Sequence, residues 1–165
     1  MIIREERVGD IVPIADVIAA AFTKAEQDRP SEPLIVGRLR DAGALTLSLV
    51  GTEGAEIVGH IAFSPVTIDG ADMGWFGLGP VSVRPQHQGK GIGGELIRRG
   101  LEKLRLQGAA GCVVVGAPAY YQRFGFEKDS ELQYKGVPPA FFMRLKFGEG
   151  IVAGEVDYHP AFGQD

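Results

Sequence analysis

Val81-Ser-Val-Arg-Pro-Gln-His-Gln-Gly-Lys-Gly-Ile-Gly-Gly94 is the stretch of sequence that decides the fold, because it lies between a predicted strand and the clearest predicted helix. Four glycines fall within six residues of this stretch. A helix N-terminus carries unpaired backbone N–H groups and a partial positive charge, and glycines let a ligand approach those donors closely. The stretch therefore predicts a cradle for an anion such as a phosphate or pyrophosphate.

Two well-known phosphate loops compete for this interpretation. A P-loop places Ser or Thr after Gly-Lys, whereas Gly89-Lys90 is followed here by Gly91. The dinucleotide fingerprint does match, as Gly89-x-Gly91-x-x-Gly94. That motif, however, follows a tight strand-to-helix turn and pairs with an acidic residue at the end of the next strand. Here the connection over residues 84–88 is long, and the next predicted strand ends in Val115-Gly116.

Upstream of this stretch the pattern predicts one short strand and two helices. The strand is expected at Met1–Arg4. Asp10 is a candidate N-cap for the first helix, whose apolar residues recur at helical spacing as far as Phe22. Ser31 is a candidate cap for the second helix, which is expected to end near Gly43.

The strands around the cradle are predicted from alternating apolar runs. A meander is expected over residues 45–50, 57–68 and 75–83, with Asp69-Gly70 as a hairpin turn and Pro80 at a bulge. The predicted helix Gly91–Gln107 follows, with Gly108 after its end. Beyond it we expect a buried strand, a short helix stopped by Gly125 and two tail strands joined by a glycine turn: Val113–Val115, Ala119–Phe124, Phe141–Phe147 and Ile151–Tyr158.

Composition limits the class of protein. The 165 residues fit a single domain over 1–165, and the alternation of strands and helices indicates an α/β or α+β class. A formal net charge of −4 argues against a nucleic-acid partner. The charged N-terminus and the lack of long apolar runs predict neither a signal peptide nor a membrane span. The single Cys112 favours a cytoplasmic location.

A second motif, Tyr120-Tyr-Gln-Arg-Phe-Gly-Phe126, follows the short buried strand. Together the two motifs resemble those of the GNAT N-acetyltransferase superfamily. Gln88-Gly-Lys-Gly91-Ile-Gly93 matches its Gln/Arg-x-x-Gly-x-Gly/Ala signature, and Tyr121 matches the family's tyrosine four residues before the glycine of Gly-Phe. The resemblance covers nearly the whole chain. The tail segments 134–142 and 158–162 are similar to those of a bacterial branch of predicted N-acetyltransferases.

The resemblance implies the GNAT fold, in which a mixed, mostly antiparallel sheet splays near the cofactor strand and is flanked by about four helices. It implies acetyl-coenzyme A as co-substrate, no metal, and a small-molecule or protein amine as the acceptor that attacks the thioester directly. The protein is expected to be a monomer or a homodimer. The implied cofactor-binding residues are Val81, Val83, Gln88, Gly89, Lys90, Gly91, Ile92, Gly93 and Gly94.

The resemblance also assigns catalytic roles. Tyr121 would protonate the departing thiolate, a role suited to a phenol of pKa about 10 that is protonated at neutral pH. A backbone N–H of the splayed strand, here expected at Val83, would stabilise the oxyanion. Tyr120 is interpreted as a packing residue, and Cys112 as a core residue.

The sequence identifies no general base. His60, Asp72 and Glu32 qualify by chemistry alone, and His60 is better interpreted as a strand residue facing a polar neighbour. Arg98 and Arg99 lie beyond the first turn of the predicted helix and are expected on a solvated face. A non-catalytic module that binds acyl-coenzyme A, and a dinucleotide-binding protein, therefore stay open as alternative functions.

Overall fold

Alternating β-branched and aromatic residues build an eight-stranded sheet in the computed structural model, which describes residues 1–21 and 32–163 and, at positions 32 and 33, only the backbone. Phe22, Ser31 and the side chain of Glu32 lie outside the described residues. The strands are β1 (Ile2–Glu5), β2 (Leu47–Glu53), β3 (Glu56–Ile68), β4 (Ala71–Val83), β5 (Gly111–Val115), β6 (Leu132–Gln133), β7 (Phe142–Lys146) and β8 (Gly154–Tyr158).

The sheet order is β1-β2-β3-β4-β5-β7, and every pairing along this path is antiparallel except β4 with β5. Asp69 and Gly70 turn β3 into β4 with φ of 50° and 80°, the left-handed conformation that the Asp-Gly pair predicts. A register shift between β3 and β4 leaves Gly79 and Pro80 without a pairing partner. The predicted bulge at Pro80 is thus confirmed.

The sheet splays where β4 and β5 part. The two strands pair only from Trp75 with Gly111 to Gly77 with Val113. Beyond Gly77, β4 continues for six residues along β3 alone, while β5 continues along β7. We call the space between the diverging strands the gap, and its closed end beside Gly77 the apex. The expected mixed sheet with a splayed strand is confirmed.

In the described part of the chain, four helices flank the sheet: α1 (Ile11–Ala21), α2 (Glu32–Asp41), α3 (Ile92–Leu106) and α4 (Pro118–Tyr121). The apolar stripe of α3 packs on one face against Leu49, Ile61 and Phe63, forming the largest core. α1 packs on the other face, against Val50 and Ala62. Burying both faces of the central strands explains why β3 is an almost continuous apolar run.

Two local expectations need correction. Asp10 does not cap α1 from outside, because it ends a preceding 3₁₀ turn and its carboxylate accepts a hydrogen bond from the backbone N–H of Arg7 at 2.7 Å. β2 runs on through Glu53, so the turn into β3 is shorter than the predicted residues 51–54. The two predicted tail strands are present, and they add to different parts of the sheet: β7 pairs with β5, and β8 pairs with β3 and the short β6.

Candidate functional site

The glycine stretch forms a cradle at the N-terminus of α3. Gly89 and Gly91 adopt φ of 78° and 83°, a left-handed conformation that side chains disfavour. Gly91 is the N-cap of α3, so the unpaired N–H groups of the first helical turn face outward beside it. A Cβ built on Gly91 would meet no protein atom within 4 Å. The space above Gly91 is therefore open for an anion.

The hydrogen-bonding pattern between β3 and β4 orients backbone polar groups near the end of β4 toward the gap. Arg84 N–H donates to the Val58 carbonyl at 2.8 Å, which makes Val83 and Gly59 a pair that exchanges no hydrogen bonds with each other. Val81, two residues earlier in β4, pairs with Ile61 in the same way, without exchanging hydrogen bonds with it. The polar backbone groups of Val81 and Val83 therefore point away from β3, toward the side that β5 has left. The Gln88 amide uses the Val83 carbonyl as its acceptor, at 3.0 Å.

A cavity of about 400 Å³ lies over the cradle. Seven of the nine residues predicted to bind a cofactor line it, namely Val83, Gln88, Gly89, Gly91, Ile92, Gly93 and Gly94. Val81 lies deeper along β4 and packs against the large core, and Lys90 is exposed beside the cavity without lining it. The glycine stretch thus lines a single cavity, and Val81 lies outside it, on β4.

Sequence reasoning missed two arginines and two aromatic residues of this cavity. Arg98 is exposed, as expected, and it also lines the cavity, with its guanidinium 5.1 Å from the centre of the Phe124 ring. Arg123 lies over Tyr120 at 4.8 Å, and both also line the cavity. The available signal was helical spacing, since Arg98 follows Gly94 by one turn. Two guanidinium groups therefore add positive charge beside the cradle.

Tyr121 does not line this cavity; it packs against the large core and contacts Tyr120, which does line the cavity. Its ring packs edge-on against Tyr120 and Phe126, with centroid distances of 5.1 and 6.0 Å. Gly116 makes room for it, since a Cβ there would come within 2.4 Å of the Tyr121 ring. Burial, and then Tyr120 and Cys112 nearby, raise the pKa of Tyr121 to about 12. Its hydroxyl therefore holds a proton at neutral pH.

A buried polar chain crosses the face opposite α3. Arg40 donates to the Glu6 carboxylate at 2.9 and 3.0 Å, the Ser48 hydroxyl donates to Glu6 at 2.5 Å, and His60 Nε2 lies 2.8 Å from that hydroxyl. The expectation that His60 faces a polar neighbour is confirmed. Burial, reinforced by Arg40 and opposed by Glu6, lowers the pKa of His60 to about 4. Asp72 lies at the far end of β4, where its carboxylate accepts from the Gly74 N–H.

Two further observations concern the described part of the chain. Within residues 1–21 and 32–163, no group of three or more His, Cys, Asp and Glu side chains is arranged to hold a metal ion. None of the helices described is long and apolar enough to cross a membrane. Cys112 is fully buried in β5, as expected for a core residue.

A mixed sheet that splays beside a glycine-lined helix N-terminus defines an acetyltransferase class of fold, and the chain belongs to the GNAT acetyltransferase family, whose domain description matches residues 3–128. The curated relative "Uncharacterized N-acetyltransferase YhbS" from Escherichia coli is 34% identical over 99% of both chains. A GNAT acetyltransferase from Brucella melitensis, solved in complex with acetyl-CoA, is 50% identical with a TM-score of 0.87 over 98% of this chain and 97% of its own. Escherichia coli YhbS, solved in complex with CoA, gives a TM-score of 0.90 at 32% identity over 99% and 92%.

Proposed function

We propose that this GNAT N-acetyltransferase takes acetyl-CoA as its co-substrate and transfers the acetyl group to an amine by direct attack. The observation that carries the proposal is that the cavity over the glycine cradle is also lined by Val83, at the end of the strand that diverges from β5. Two relatives solved with acetyl-CoA or CoA support this ligand.

The cradle suits the pyrophosphate of coenzyme A. The N–H groups at the start of α3 supply donors, and the glycines leave room for phosphate oxygens against the backbone. Arg98 and Arg123 extend the positive charge at the rim of the cavity. We assign the phosphates to residues 88–94, with Lys90 contributing charge from the surface.

The end of β4 suits the amide-containing arm of the cofactor. Val81 and Val83 present backbone N–H and C=O groups to the gap, as a strand edge does. Val83 borders the cavity, whereas Val81 is one pleat nearer the apex. We therefore assign the arm to Val83 and move the role of oxyanion donor, which the resemblance placed at Val83, to the N–H of Val81.

Tyr121 is proposed as the general acid. The amine nitrogen forms a bond to the thioester carbon, the carbon–sulfur bond breaks, and the thiolate takes the phenolic proton of Tyr121. A pKa of about 12 keeps this proton on Tyr121 at neutral pH, although it also makes the donor weak. No carboxylate or imidazole lies on β4 between Gly74 and Gly79. We therefore propose that water carries the amine's proton away, or that the acceptor binds as free amine.

The proposed setting is the cytoplasm, with the chain acting as a monomer or a homodimer and a small-molecule or protein amine as acceptor. The reduced, buried Cys112 is compatible with that compartment. Gel filtration at several concentrations would establish the assembly state.

Two measurements test the proposal together. Acetyl-CoA at 100 times its Kd should stabilise the protein by about 2.7 kcal/mol, which raises the melting temperature by several degrees. NADH at the same concentration should give a smaller shift, and the reverse order would favour a dinucleotide site. A screen of amines for release of free thiol would then find the acceptor. Binding without turnover by any amine would favour a non-catalytic acyl-CoA module.

A further inference from the structure

Tyr158 places an aromatic ring at the apex of the gap, on the face opposite α3. It is the last residue of β8, and its Cα pairs with Val66 of β3. Its ring lies against Gly77, since a Cβ built on Gly77 would come within 2.6 Å of Tyr158 Cε2. Gly77 is also the last residue of β4 that pairs with β5. The Tyr158 ring therefore reaches the point where the two strands part.

The hydroxyl of Tyr158 is buried and has no hydrogen-bond partner among the described residues. Native structures rarely leave a buried hydroxyl unpaired, because doing so costs free energy. Burial raises the pKa of Tyr158 well above its ordinary value, and Cys112, Tyr134 and Tyr121 raise it further. Cys112 and Tyr121 belong to the core on the α3 face. This buried hydroxyl belongs to the ring that lies against Gly77, at the end of the β4–β5 pairing.

The tail motif that follows Tyr158 holds this ring in place. His159 Nδ1 accepts a hydrogen bond from the Ala161 N–H at 3.0 Å and so caps a 3₁₀ turn over Pro160–Phe162. Ala161 is buried beside Leu39 of α2. Phe162 and Tyr134 contact the Tyr158 ring from two sides, with centroid distances of 5.2 and 5.0 Å. These contacts hold the Tyr158 ring in its position against Gly77.

We propose that Tyr158 is a second catalytic tyrosine, whose hydroxyl donates a hydrogen bond to the carbonyl oxygen of the bound acyl thioester. This inference rests on the proposed function, because it takes the gap as the place where the thioester lies. Tyr121 then donates its proton to the sulfur from the α3 face, and Tyr158 donates a hydrogen bond to the carbonyl oxygen from the other face. As the amine's lone pair forms the new carbon–nitrogen bond, charge moves onto the carbonyl oxygen. Tyr158 stabilises that charge and keeps its own proton throughout.

Tyr158→Phe tests the contact without relying on turnover. Calorimetric titration should show acetyl-CoA binding about three- to tenfold weaker, since one hydrogen bond is lost. Binding of CoA, which has no acyl carbonyl, should be unchanged. Once an acceptor is known, kcat should fall about a hundredfold, the lower end of the range for an oxyanion donor. The melting temperature of the free protein should stay the same or rise, because the hydroxyl is unpaired without ligand.

Two sets of control variants distinguish the loss of the Tyr158 hydroxyl from other changes in the same aromatic cluster and tail turn. Tyr134→Phe removes a hydroxyl from the neighbouring ring of the same aromatic contact and should leave both titrations unchanged. His159→Ala removes the cap of the tail turn while keeping the Tyr158 hydroxyl, so it should reduce the preference for acetyl-CoA over CoA by a smaller factor. His159→Asn should restore that preference, because Asn also caps such turns. The His159 pair also serves as the test if Tyr158→Phe fails to fold.

Equal affinity of Tyr158→Phe and wild type for acetyl-CoA, with kcat unchanged, would show that Tyr158 is a packing residue. A rise in KM for the amine with acetyl-CoA affinity unchanged would place the hydroxyl at the acceptor and would also overturn the assignment. Both outcomes leave the proposed function standing. By contrast, wild-type protein that binds neither acetyl-CoA nor CoA would remove the proposed function itself.

Discussion

The cradle and the apex of the gap serve one proposed ligand, but they are built in different ways. The cradle is made from the backbone of a single stretch, residues 88–94, and its donors exist because a helix begins there. The apex brings together Gly77 of β4 and the Tyr158 ring at the end of β8, two segments that lie far apart in the chain. A contiguous backbone site can be read from sequence, whereas an assembled site depends on how the strands are ordered.

The largest expected effect is at the cradle. Gly91→Val should weaken acetyl-CoA binding at least a hundredfold, because the side chain fills the anion space and the left-handed φ of 83° is lost or strained. Two lost hydrogen bonds to a charged phosphate, at about 1.5–3 kcal/mol each, account for that size. Isothermal titration beside a melting curve would measure it.

Gly93→Ala tests the same cradle without the backbone strain that a side chain causes at Gly91. Gly93 does not have a left-handed φ, and a Cβ there would meet the Tyr120 hydroxyl at an ordinary 3.6 Å. Binding should weaken about tenfold while the helix gains stability from alanine. Gly37→Ala, in α2 with open space around it, should gain stability without losing affinity. Wild-type affinity in both Gly91→Val and Gly93→Ala would place the phosphates elsewhere.

The next effect separates the two neighbouring tyrosines. Tyr121→Phe should lower kcat about ten- to a hundredfold with KM for acetyl-CoA nearly unchanged, because an acid acts only as the thiolate leaves. Tyr120 lines the cavity, so Tyr120→Phe should raise that KM about two- to fivefold and leave kcat alone. Steady-state rates of thiol release give both constants. An unchanged kcat in folded Tyr121→Phe would pass the acid role to water.

A smaller effect concerns the positive charge of Arg98 at the rim of the cavity. Arg98→Gln should weaken acetyl-CoA binding about two- to fivefold and reduce its dependence on salt, because the Arg98 guanidinium borders the cavity. Arg99→Gln, at an adjacent exposed position of α3 that does not line the cavity, is the matched control. Equal losses in the two variants would mean that only net charge matters.

The last effect concerns the free energy of unfolding and the face opposite α3, away from the cavity. The pKa of His60 is lowered by burial to about 4, so the unfolded chain takes up a proton first as the pH falls below about 6.5. Stability is therefore present at pH 7 and is lost as the pH falls toward 4, by about 2 kcal/mol at pH 5. Urea unfolding from pH 7 to pH 5 should show this slope, and His60→Gln should flatten it. An unchanged slope would assign the loss to other groups.

Much of the fold was predictable because its signals are local. The Asp69-Gly70 turn, the bulge at Pro80 and the stripe of α3 each follow from a few neighbouring residues, and the structure has all three. The place of the last strand in the sheet was not predictable in this way. The glycine turn only joins the two tail strands in sequence, whereas β8 adds to an edge of β3 that lies more than eighty residues earlier.

The sequence alone determined the family, the anion cradle and Tyr121 as the candidate acid, because each depends on residue types at fixed short spacing. Only the tertiary structure decided that Arg98 and Arg123 border the cavity and that Val81 and Val83 face the gap. It also decided that the Tyr158 ring lies at the apex, with a buried hydroxyl that has no hydrogen-bond partner among residues 1–21 and 32–163. The physical reason is that backbone donors arise wherever a helix begins. A buried side chain acquires its neighbours only when strands from opposite ends of the chain pair.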